Sequence, residues 1–108
     1  MSKKVLGQSN PSATTATTLY TVPSAKEAVI SSISIANLAS SSATYRIAVR
    51  PAGASLANQH YLAYDVTVGA ADTTIITVGI TLATTDVVTI YASTANLAFS
   101  AFGDEASV

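Results

Sequence analysis

A chain of 108 residues with 10% charged residues and a net charge of −1 is sized for a single domain and lacks the basic patch that nucleic-acid binding demands. No apolar run approaches the ~18 residues of a membrane-spanning helix, the N-terminus carries no apolar signal segment, and without cysteine there is no disulfide framework. Ordinary soluble domains are roughly 25% charged. Here fourteen Ser and fifteen Thr fill the polar positions instead, a surface suited to packing against copies of itself or other proteins.

In chain order, residues 1–17 are rich in Ser, Thr and Ala, with no apolar period and with Lys3 and Lys4 as their only charges. They read as an extended N-terminal arm able to order on a neighbour. From residue 18 the pattern has period two, the signature of strands. "TTLYTVP" is a short strand stopped by Pro23. "AVISSISIAN" puts Val29, Ile33 and Ile35 on one face and serines 31, 32 and 34 around them.

"YRIAVRP" alternates cleanly, with Tyr45, Ile47 and Val49 facing the core and Arg46 and Arg50 facing out, until Pro51 ends it. "HYLAYDVTV" places His60, Leu62, Tyr64, Val66 and Val68 inward and Tyr61 and Asp65 outward. "TTIITVGITL", "DVVTIYAS" and "NLAFSAFG" complete the set. Val, Ile and Thr, stiff at χ1, favour strands, and no segment holds a helical period. Seven to eight short antiparallel strands at this spacing predict an all-β sandwich, jelly-roll-like or Ig-like. Its bounds are the arm at 1–17, the sandwich at 18–103 and a C-terminal tail at 104–108.

Catalytic chemistry finds no foothold in this pattern. A zinc site needs clustered His and Cys, and the chain has one His and no Cys. His60 is the one candidate base, and Asp65, five residues on, points to the opposite face of a regular strand. Asp72 and Asp86 precede strands, where Asp bonds local amides. The expectation is a protein that is not an enzyme and holds no metal or cofactor.

What remains is a contact surface. Arg46 and Arg50 stand ~13 Å apart on one face, and Arg and Tyr are frequent carriers of interface energy. With Tyr61 and Asp65, and with Lys3 and Lys4 on the arm, they form the candidate interface. If the next strand pairs antiparallel, Asp65 meets one of the arginines. Tyr61, Tyr64 and Tyr91 offer an alternative, an aromatic platform for a sugar.

The segments "LGQSNPSATTATTLYTVP", "YRIAVRPAGA", "HYLAYDV", "TTDVVTIYAST" and "AFSAFGDE" together resemble a family of small β-sandwich structural proteins of tailed bacteriophages, cyanophages especially. The resemblance covers nearly the whole chain. It implies a virion protein without catalytic residues, made in the host cytoplasm and carried in the particle. Between the virion roles this leaves, small size, low charge, the extended arm and the compact β domain make capsid decoration (cement) on the major capsid protein, as a homo-oligomer with a trimer favoured, the leading expectation. A tail, baseplate or fibre component is the other. Neither nucleic acid nor membrane is an expected partner.

Overall fold

The computed structural model describes residues 2–108. Eight strands follow one another: β1 (Ser2–Ser9), β2 (Thr17–Thr21), β3 (Lys26–Asn37), β4 (Ala43–Arg50), β5 (Tyr61–Val68), β6 (Thr73–Leu82), β7 (Val87–Ala92) and β8 (Leu97–Ser107). They pair antiparallel in two four-stranded sheets, ordered β1-β8-β3-β6 and β2-β7-β4-β5. The pairs β4·β5, β3·β6, β2·β7 and β1·β8 nest inside one another like the rungs of one long hairpin. Rolling that hairpin adds the β3·β8 and β4·β7 contacts. This is the jelly-roll arrangement; an immunoglobulin sandwich would keep its first two strands in one sheet, and here they lie in different ones.

The core is the space between the sheets. Ile30, Ile33, Ile35, Leu97 and Phe99 from one sheet meet Tyr45, Ile47, Val88 and Ile90 from the other, all at most 2% exposed. Each such side chain contributes about 1.5–3 kcal/mol of burial. Tyr45 meets Phe99 edge to face with centroids 6.4 Å apart, and burial raises the Tyr45 pKa.

Bulges interrupt the strict alternation at five places, and each bulge turns the following residues to the other face. In β3 the extra residue is Ser31, whose hydroxyl donates to the Phe102 carbonyl at 3.0 Å. Ile30, not Val29, therefore joins Ile33 in the core. In β5 the partners of Tyr45 and Ile47 are Val66 and Ala63, leaving both Tyr64 and Asp65 opposite Arg46. Tyr64 thus faces outward rather than into the core, and Ala63 takes its inward place. Leu62 is a second bulge and is 57% exposed, while Val66 lies at the strand edge with 39% exposed.

The segment expected to be a free arm is built into the fold. Ser2–Ser9 is an edge strand in register with β8, and Asn10 Nδ2 then donates to the carbonyls of Ala95 and Leu97 at 3.0 and 2.8 Å. Thr14 N–H donates to the Ala92 carbonyl, and the tail expected at 104–108 is the end of β8. Gly7 lies so close to the Leu19 carbonyl that no Cβ would fit, so β1 and β2 close one side of the sandwich. On the opposite side β5 and β6 stay apart. Leu62 and Ala63 face Ile76 and Ile80 there across a cavity of about 50 Å³.

Candidate functional site

On the outer face of the second sheet, Arg46 stands in the centre of β4, with Tyr91 of β7 directly opposite on one side. On the other side the β5 bulge supplies two residues at once. Asp65 adopts φ 52°, a left-handed conformation that Asp tolerates better than most residues. Its carboxylate accepts from Arg46 Nε at 2.7 Å and Nη2 at 3.3 Å. The guanidinium carbon lies 4.1 Å from the centroids of both the Tyr64 and Tyr91 rings.

Arg46 is thus clamped in its plane by a two-point ion pair and on both faces by rings, the stacked geometry that guanidinium favours. The Asp65 hydrogen bonds hold its pKa above the ordinary arginine value. Tyr61 packs edge to face against Tyr64 with centroids 4.9 Å apart. Beside them Asn58, Tyr61 and Tyr64 line an open groove of about 360 Å³. Five side chains from three strands therefore form one aromatic and polar patch, with Tyr64 56% exposed.

No protein-family model, curated protein or solved structure matches the chain.

The six residues expected at an interface do not gather in one place. Arg46, Asp65 and Tyr61 do. Arg50 is diverted: its Nε donates to Thr89 Oγ1 at 3.0 Å and its Nη1 to the carbonyls of Gly53 and Ala54 at 3.2 and 3.0 Å, so it secures the turn after β4. Lys3 and Lys4 belong to the other sheet. Lys3 is exposed opposite Asp104, and Lys4 Nζ pairs with Glu105 at 2.8 Å.

Glu105, 9% exposed, is a polar anchor at one end of the core that the sequence pattern gave no reason to single out. It also accepts a hydrogen bond from the Tyr20 hydroxyl. The bonds from Lys4 and Tyr20 hold its pKa below the ordinary carboxylate value. Burial, reinforced by Glu105, pushes the Tyr20 pKa up.

His60 and Asp65 are not brought together. His60 Nδ1 accepts from the Ala57 N–H at 3.0 Å and caps its own turn, while Asp65 is engaged by Arg46. The turn aspartates act as the sequence suggests: Asp86 accepts from Ala52 and Ala83 N–H groups, both at 2.9 Å, and Asp72 from Thr73 at 2.8 Å. Among the described residues no three His, Cys, Asp or Glu side chains cluster as metal ligands would.

Proposed function

We propose that the chain is a structural protein of a tailed-phage virion, acting as a decoration (cement) protein on the capsid shell. The observation that carries the reading is the surface of the jelly roll. A sandwich with few charges leaves Leu62, Tyr64 and Val66 of β5 and Ile75 of β6 exposed, apolar surface suited to a protein that works packed against other protein. The sequence resemblance supports the same reading. Clamping two capsomers across a joint calls for rigid contact surface and no chemistry, and the locked Arg46 patch provides such a surface at little entropic cost.

Imaging of the parent particle tests this directly. Density for the chain over the shell is the expected result, and density confined to the tail would replace decoration with the tail or baseplate role.

A glycan-binding module is a second reading, favoured by one feature: Tyr61 and Tyr64 meet at a right angle beside Asn58 in an open groove. Binding on a glycan array that is lost in Tyr64→Ala would support it.

A further inference from the structure

Each of the four edge strands presents unpaired backbone groups, and natural sheets protect such edges against pairing with other chains. Three of the four are protected by charge, by shortness or by bulges within their central residues. β1 has Lys3, Lys4 and a bulge at Leu6. β2 is five residues long and bulged at Leu19. β5 is bulged twice and carries Asp65.

β6 differs. Its own bulge, residues 78 and 79 opposite Ser31 with Gly79 at φ 61°, lies toward its C-terminal end. The ten residues carry no charge and no proline, and residues 73–77 pair with residues 32–36 of β3 without interruption. Its outer row in this stretch is Thr73, Ile75 and Thr77, all exposed, with Ile75 at 67%.

That row reads the same in both directions. A two-fold axis through Ile75 would set Ile75 against Ile75 of a second copy and Thr73 against Thr77, with every side chain keeping its own face. Self-complementarity of this kind is what an isologous contact requires, and β-branched and Thr–Thr cross-strand pairs are favourable. The charges agree, since β6 on β6 opposes no like charges whereas β1 on β1 would bring lysines together.

We propose that β6 is a homodimerisation edge: two copies pair antiparallel through residues 73–77, with Ile75 on the two-fold axis, and join their sheets into one of eight strands. Leu62 and Val66 line the same open side and come under cover when the copies meet. With Ile75, at 57%, 39% and 67% exposed, these three side chains supply only part of the roughly 800 Å² per partner of a standard interface. The strand backbone and flanking loops supply the remainder, so the pair should form in a concentration-dependent way. This two-fold unit differs from the trimer expected of a decoration protein, and it does not depend on the virion reading.

The absence of native cysteine makes a clean test available. Opposed residues of antiparallel strands have Cα atoms ~4.5–5.5 Å apart, within disulfide reach. Ile75→Cys should therefore form a covalent dimer on mild oxidation. Thr81→Cys, exposed on the same strand but off the axis, should do so far more slowly.

In sedimentation the unaltered chain should approach twice its 10.9 kDa mass as concentration rises. Ile75→Lys and Ile75→Glu should each remain monomeric, with circular dichroism verifying their fold, and an equimolar mixture of the two should restore the dimer. Equal cross-linking at 75 and 81, a mixture that stays monomeric, an unaltered chain that never dimerises, or a trimer indifferent to Ile75→Lys would each overturn the proposal.

Discussion

Replacing Asn37 by leucine removes the side chain that ties three loops together at one end of the sandwich. Asn37 ends β3 and is 3% exposed. Its Nδ2 donates to the carbonyls of Ser41, Val68 and Gly69 at 2.9, 3.3 and 3.1 Å, and its Oδ1 accepts from the Ala39 N–H at 3.0 Å. Leucine fills similar volume, so cavity formation adds little.

The cost is polar. The Nδ2 group has two hydrogens to share among three carbonyls. Water therefore rehydrates the part-buried partners at a loss of about 0.5–1 kcal/mol for each of two bonds, one donated and one accepted, while the buried contact to Val68 strands a carbonyl at ~1–3 kcal/mol. The sum is about 2–5 kcal/mol, a large share of the roughly 5–15 kcal/mol that holds such a domain folded. Urea unfolding followed by circular dichroism should show the midpoint fall with the slope unchanged, and Tm should drop by roughly 10–25 °C. Asn37→Asp, which keeps the acceptor and loses the donors, should be no better than leucine. A loss below about 0.5 kcal/mol for Asn37→Leu would refute the reasoning, because solvent would then be serving all four groups.

Deleting residues 2–9 should abolish cooperative unfolding, since it strips β8 of its partner; a truncated chain with an unchanged midpoint would show that β1 is dispensable. Gly103→Ala drives a Cβ into the Val29 carbonyl and should cost about 1–3 kcal/mol, read by the same urea titration. At Asp65, Asp65→Gly and Asp65→Ala both lose the Arg46 bond, yet alanine retains the left-handed strain, so glycine should be the more stable by about 1 kcal/mol.

The Glu105 cluster sets two pH limits. The pKa of Glu105 is lowered from its ordinary 4.5, so its contribution is present above that pH and is lost as pH falls through the folded value. Tyr20 is raised from 10.0, so its contribution is full below pH 10 and is lost as pH climbs toward the folded value. Tyr20→Phe should flatten the alkaline limb and Lys4→Met the acid one in a Tm-against-pH series.

The β class and the strand positions were legible because alternation is a local property: Tyr45 and Ile47 face the core as their spacing says. Bulges are not local. Nothing within "HYLAYDV" announces that Tyr64 and Asp65 share one opposing residue, because that depends on the register with β4. For the same reason Ile30 displaced Val29, and Leu62 and Val66 came to rest at an open edge.

The Arg46–Asp65 meeting was foreseeable from an antiparallel neighbour, while the stacking of Arg46 between two rings required knowing that β4 lies between β5 and β7. Arg50 looked equivalent to Arg46 in spacing, but the turn after Pro51 folds back and occupies its donors. β1 escaped notice because it is a bulged edge strand with both faces partly wet, so no apolar stripe marks it.

The nested pairing also orders events during synthesis. β4 and β5 can meet within a few dozen residues of chain, whereas β1, made before the other seven described strands, has no partner until β8 emerges. At about 5–20 residues per second that wait lasts roughly 5–20 s, during which a bare strand is open to any edge it encounters. Lys3 and Lys4 stand on that strand as gatekeepers, so the lysine that later pairs with Glu105 in the finished fold first guards the nascent chain.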